Sequence, residues 1–177
     1  TKTVGKLKVD VAEERIKEIN PSAKVTKFAE FVGKENENIE LFDSIKNVDY
    51  IIDAIDTISG KIQIIEFAKA NNIPIISALG TGNKLDPTKL KITDIYDTKI
   101  CPLAKVMRKE LKKRGITSLN VVYSEEEPIK ILDNEGEVES SKENNDEKNV
   151  KKIGSIAYVP SVAGLFICYK VVNEFIK

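Results

Sequence analysis

The stretch VDYIIDAIDTISGK, Val48 to Lys61, decides the fold of this chain. An apolar run ends in two aspartates, Asp53 and Asp56, and passes at once into a helical pattern. Continuous apolar runs mark strands buried in a parallel sheet, and the ligands of such sheets sit beyond the carboxyl ends of the strands. Asp53 and Asp56 therefore stand at a candidate ligand edge. Aspartates after a strand also cap helices and close turns, so both readings stay open at this point.

Downstream, Ile58 to Asn71 repeats apolar residues with helical period (Ile62, Ile65, Phe67, Ala68, Ala70), and Ile73 to Leu79 is a second apolar run of strand length. Upstream, Asn38 to Ile45 reads as a short helix. Ala23 to Phe31 alternates as a strand with one wet face, and Val9 to Ile19 forms an amphipathic helix that stops at Asn20-Pro21. The order αβαβαβ, joined by short connections, predicts an α/β fold: part of a doubly wound, Rossmann-like sheet with helices on both faces. Such units usually begin on a strand that feeds a Gly-rich turn. No GxGxxG or GxxxxGK[ST] occurs in the sequence, and the expectation is that at least one strand and its turn precede Thr1. Lys6 and Lys8 begin the first helix, where the macrodipole prefers anions; a bound phosphate would resolve that conflict, and ordinary surface lysines are the other reading.

From Gly80 to Thr98 (GTGNKLDPTKLKITDIYDT) the pattern predicts two short strands separated by turns at Gly80, Gly82 and Asp86-Pro87. Pro102 to Arg114 follows as a helix with Leu103, Val106, Met107 and Leu111 inward, ended by Gly115. Its outer face carries Lys105, Arg108, Lys109, Lys112, Lys113 and Arg114, which reads either as a solvated surface or as a nucleic-acid contact. Leu119 to Tyr123 is a further strand. Residues 133–152 lack any apolar period and read as a mobile polar loop. The chain closes in a buried C-terminal helix with Ser161 as its N-cap, too short in apolar length to span a bilayer.

The 177 residues and 41% hydrophobic content suit one domain spanning 1–177, and 28 basic against 28 acidic side chains leave no overall field to attract nucleic acid or an acidic membrane. With no histidine in the chain, histidine-based nucleophile systems and HExxH zinc sites are excluded, and the chemistry must run on carboxylates, lysines, backbone groups or a bound metal. Two cysteines, Cys101 and Cys168, cannot build a disulfide framework or a CxxC clamp, which suits a reducing cytosol. Cys168, within the apolar terminal helix, reads as core; Cys101 reads as the start of a helix.

The ordered motifs VGKLKVDVAEERIKEINP, DYIIDAIDTISGK, ALGTGNKLDPTKLKITDIYDT and CPLAKVMRKELKKRG resemble the ubiquitin-activating-enzyme-like adenylating superfamily, and within it the tRNA threonylcarbamoyladenosine dehydratase branch. The resemblance runs from about Val4 to Pro128 and more weakly through the terminal helix. It implies that Lys8 contacts phosphate, with Gly5 as its glycine, and that Asp56 is the magnesium–ATP aspartate. Asp53, Thr57 and the basic Lys61 are implied as its companions, and Gly80 and Gly82 as the loop that lets backbone approach an activated carbonyl. ATP and Mg2+ are the implied cofactors, and neither phosphate neutralisation nor magnesium binding needs histidine.

The implied reaction is ATP-dependent dehydration of threonylcarbamoyladenosine in tRNA through an acyl adenylate, in the cytoplasm. Under this resemblance Lys105, Arg108, Lys109 and Lys112 become candidate tRNA contacts, a homodimer is expected, and a sulfur-transfer protein is a possible partner class. Because the superfamily's adenine and phosphate loop would precede Thr1, the chain is expected to be the C-terminal part of an adenylating domain and inactive alone. The alternatives are adenylation of a ubiquitin-like sulfur carrier, or a noncatalytic dimerising module. The absence of CxxC counts against the first, since its relatives commonly carry a zinc site. Some relatives use a thioester-forming cysteine, a role that residue type alone does not give to Cys101.

Overall fold

The computed structural model describes residues 2–33, 39–129 and 153–176. The chain forms two compact units, Thr1–Asn47 and Val48–Lys177. The polar segment expected over residues 133–152 lies outside the described residues.

In the first unit, the amphipathic pattern gives helix α1 (Lys8–Ile19), and α2 (Ile39–Ser44) follows. Asp10 in the first turn of α1 suits its dipole. Lys27 holds that turn from outside, at 2.7 Å from both Asp10 Oδ1 and Glu13 Oε2. The segment expected as a strand, Ala23 to Phe31, is irregular chain. Alternation sets which side chains of an extended segment are wet and does not by itself place the segment in a ladder; the sheet among the described residues is built from Ile51 onward.

The second unit contains β1 (Ile51–Asp53), α3 (Ile58–Ala70), β2 (Ile75–Ala78), β3 (Leu90–Asp94), α4 (Pro102–Lys113), β4 (Asn120–Ser124) and α5 (Tyr158–Phe175). The four strands lie in the order β1-β2-β4-β3. The first three are mutually parallel, and β3 runs antiparallel to β4 at one edge. The register sets Asp53 opposite Ser77. One face of the sheet, through Ile76, Leu90 and Val122, packs on Val159, Ala163 and Ile167, which recur every four residues along α5. The pleat turns Ser77, Val121 and Tyr123 to the opposite face, where α3 and α4 contribute buried Ile65, Ala68, Ala104, Met107 and Leu111. Helices thus cover both faces, as the apolar runs require.

Helix α4 ends as its glycine predicts: Gly115 takes φ +71°, and the Ile116 and Gly115 amides reach the carbonyls of Leu111 and Lys112. Four local expectations fail. Only one strand forms between Gly80 and Thr98, because Asp86 and Asp94 accept hydrogen bonds from the Thr88 and Tyr96 amides and turn the chain into single 3-10 turns on either side of β3. Val106 faces outward, its place inside taken by the smaller Ala104. Helix α5 begins ahead of Ser161, whose hydroxyl donates back to the Ala157 carbonyl instead of capping. Cys168 is exposed, because α5 buries one stripe only and leaves Leu165, Tyr169 and Phe175 outside. Among the described residues no helix is long and apolar enough to cross a membrane.

Candidate functional site

The carboxyl end of β1 is where the two aspartates separate. The Asp53 side chain turns into the protein and is fully buried with Lys61, whose position in the first turns of α3 brings its ammonium back over the strand ends. Lys61 Nζ lies 3.1 and 3.0 Å from the two Asp53 carboxylate oxygens, and donates to Ser77 Oγ at 3.2 Å and to the Ala78 carbonyl at 2.8 Å. Ser77 completes the ring by donating to Asp53 Oδ2 at 2.5 Å. Asp53 also accepts from the Ile55 amide at 3.3 Å, which ties it to the turn that carries Asp56. Every polar atom of this group has a partner, the condition under which a buried charge pair is tolerated. Burial holds the Lys61 ammonium below its ordinary value, against the opposing pull of Asp53 and Asp56.

Asp56 lies on the same turn and is exposed. Thr57 is the N-cap residue of α3 and its side chain does not cap the helix. The structure therefore brings Asp53 and Lys61 together as an internal pair and leaves Asp56 as the carboxylate that faces solvent at the strand end. Among the described residues no group of three or more metal-ligating side chains forms.

Beyond β2, Gly80 takes φ +56°, and a Cβ there would meet Cys101 Sγ at 2.7 Å. A Cβ on Gly82 would meet Ile153 Cγ2 at 2.6 Å. Both glycines are thus required by conformation or close packing within the protein itself. Cys101 is buried at the N-cap of α4, where Sγ accepts from the Ala104 amide at 3.5 Å, as a helix start predicts. Lys84 is buried and donates to the Glu126 carbonyl, and burial lowers its pKa against the pull of Cys101 and Glu126.

Lys8 is exposed at the first position of α1, in the first unit. On α4, Lys105, Lys109 and Lys112 are exposed and fall on one stripe, four and three residues apart. Arg108 instead turns inward and donates to the Thr98 carbonyl at 3.0 Å and to the Thr98 hydroxyl. Lys113 and Arg114 pair with Glu110. Sequence reasoning missed Ser77, Asn83 and Glu126. For Ser77 the signal was present: a lone hydroxyl inside the apolar run IPIISAL.

A model described as ThiF family matches residues 1–173. Over 181 residues the chain is 40% identical to the tRNA threonylcarbamoyladenosine dehydratase of Bacillus subtilis, a match spanning 99% of this chain and 68% of that protein. Its counterpart in Escherichia coli is 34% identical over 131 residues, 70% of this chain and 48% of that protein. The crystal structure of E. coli tRNA N6-threonylcarbamoyladenosine dehydratase, TcdA, in complex with AMP superposes with a TM-score of 0.76 at 26% identity, over 96% of this chain and 64% of that one. The ATP complex of the same protein gives 0.72 at 27% identity, over 97% and 66%. The chain spans less than two thirds of the length of the AMP-bound structure it matches. Motif order, sheet topology and these likenesses agree, and the chain belongs to the ThiF family.

Proposed function

We propose that the full-length protein catalyses the ATP-dependent dehydration of threonylcarbamoyladenosine in tRNA. The carboxylate of the threonylcarbamoyl group attacks the α-phosphorus of ATP and pyrophosphate leaves. Ring closure within the resulting acyl adenylate then expels AMP and leaves the cyclic nucleoside. The observation that carries this reading is Asp56: an exposed carboxylate at the carboxyl end of a parallel strand, where α/β sheets bind ligands. The names of the relatives supply the substrate class.

In this reading Asp56 would hold Mg2+, and the ion would supply neutralisation of phosphate charge. Lys8 is proposed as a phosphate contact, and Thr57 as a neighbour of the ion. Asp53 and Lys61 serve the site from inside, by fixing the turn that presents Asp56. Gly80 and Gly82 belong to the loop facing the activated carbonyl. The stripe Lys105, Lys109 and Lys112 contacts tRNA phosphates, an interaction that adds affinity without reading sequence, and Arg108 holds the base of α4 on Thr98. The exposed Leu165 (67%) and Tyr169 (66%) on α5 form an apolar stripe suited to a homodimer. A cytoplasmic location is proposed with the tRNA substrate.

The deciding experiment incubates the full-length protein with ATP and either modified tRNA or a ubiquitin-like carrier ending in Gly-Gly, and measures AMP. Release that requires the tRNA is expected. Release that requires only the carrier would overturn the assignment in favour of sulfur-carrier adenylation.

A further inference from the structure

Asn83 anchors the loop between β2 and β3 to chain segments on either side of the 130–152 stretch. Asn83 takes a left-handed conformation, φ +56°, which asparagine tolerates better than most side chains. From there it bonds two separate stretches of chain. Its amide donates to the Gly154 carbonyl at 2.7 Å, while its side-chain Oδ1 accepts from the Gly154 amide, also at 2.7 Å. Its carbonyl accepts from the Ile129 amide at 2.9 Å. The missing Cβ of Gly82 is what lets Ile153 lie against the loop.

The neighbouring residues extend the clamp. Lys84 donates to the Glu126 carbonyl, and the Glu126 carboxylate accepts from the Leu85 amide at 3.0 Å and the Asp86 amide at 2.9 Å. Backbone amides that would otherwise be available to a ligand at Asn83, Leu85 and Asp86 are thus committed within the protein. The Gly80–Gly82 segment immediately precedes these anchored residues, with Gly82 packed against Ile153.

We propose that Asn83 is a positioning residue of the glycine loop. It fixes Gly80–Gly82 through the paired bonds to Gly154, so that the loop meets the activated carbonyl already ordered. The proposal rests on the reading of that loop as part of the adenylating site. A preorganised loop contributes to the chemical step more than to nucleotide binding, so its loss lowers kcat and leaves the KM for ATP in place.

Three variants of the full-length protein test this. Asn83→Gly keeps the left-handed backbone and removes the acceptor; Asn83→Asp keeps an acceptor for the Gly154 amide; Asp56→Asn serves as the site control. Two readouts are taken: hydrogen-exchange protection of the amides from Gly82 to Leu85, and steady-state AMP release with ATP and modified tRNA. Asn83→Gly is expected to lose protection and about tenfold in kcat, the rate equivalent of one net hydrogen bond, with KM for ATP unchanged. Asn83→Asp is expected to retain both.

Full protection in Asn83→Gly would overturn the clamp, and equal losses of kcat in Asn83→Gly and Asn83→Asp would overturn the role of the acceptor. Lost protection with unchanged kcat would remove the loop from the site and overturn the proposal on the functional side. Undiminished turnover in Asp56→Asn is a different result: it refutes the site reading itself, whatever Asn83 does to loop order.

Discussion

Asp53 and Asp56 are the same residue type on one turn, and the fold gives them opposite fates. Asp53 is 1% exposed, and its carboxylate oxygens accept from Lys61, Ser77 and the Ile55 amide. Asp56 faces solvent at the strand end. The difference follows from position: Asp53 is the last residue of β1 and shares the inward pleat of Ile51, whereas Asp56 comes after the strand has ended. A single sequence motif therefore contains a buried carboxylate and a solvent-facing one. The first sets the conformation of the turn, and the second carries the proposed chemistry.

The largest effect should come from breaking the buried pair. Lys61→Met leaves the Asp53 carboxylate buried without its cation, and should cost about 3–5 kcal/mol in denaturant unfolding. The double substitution Asp53→Asn with Lys61→Met removes both charges and should recover most of that loss. A Lys61→Met protein as stable as wild type would show that the pair is solvated in solution. At the other aspartate the pattern should invert. Asp56→Asn should alter stability by no more than about 0.5 kcal/mol while lowering AMP release by about a hundredfold in the full-length protein. Measured together, stability and turnover place each aspartate on one side of the comparison; a large stability loss at Asp56 would make it a second structural carboxylate.

Ser77 tests the ring more finely. It both accepts from Lys61 and donates to Asp53, and Ser77→Ala deletes both bonds with little change in volume. The expected loss is about 1–3 kcal/mol, the penalty for leaving buried charged groups short of a partner, with thermal or denaturant unfolding as the measurement. A neutral substitution would assign the stability of the pair to Asp53 and Lys61 alone.

Much of this was legible in the sequence, for identifiable reasons. The apolar runs at Ile51 and Ile75 and the helical period from Ile58 gave the β1-α3-β2 unit, and Gly115 marked the end of α4. Asp53 and Lys61 were legible as members of the site stretch, but their burial against each other was not, since it depends on the return of α3 over the strand ends. A trace was present: Lys61 lies on the same helical stripe as Ile65 and Ala68, the buried face of α3. The failed strand at Ala23 to Phe31 shows the converse, because alternation records wet and dry faces and does not name the neighbour that makes a ladder. Asn83 could not be read at all. Its role arises from contacts with Ile129 and Gly154, residues far from it along the chain.

The smallest expected effect concerns pH, and its sign discriminates between the partners of the buried pair. Burial lowers the Lys61 pKa from 10.5 in the folded protein, while the unfolded chain keeps the ordinary value. In the window between the lowered value and 10.5 the unfolded chain binds the extra proton, so the contribution of Lys61 to stability rises with pH there and is flat below it. The stability of wild type minus that of the Asp53→Asn/Lys61→Met double variant, followed by urea unfolding from about neutral pH upward, should therefore increase as 10.5 is approached. Asp56→Asn should keep the sign of the wild-type trend, because Asp56 is the smallest of the causes acting on Lys61. A difference that falls with pH would mean that attraction to Asp53 outweighs burial and lifts the ammonium above its ordinary value, making the pair a source of stability rather than a cost accepted to hold the Asp56 turn.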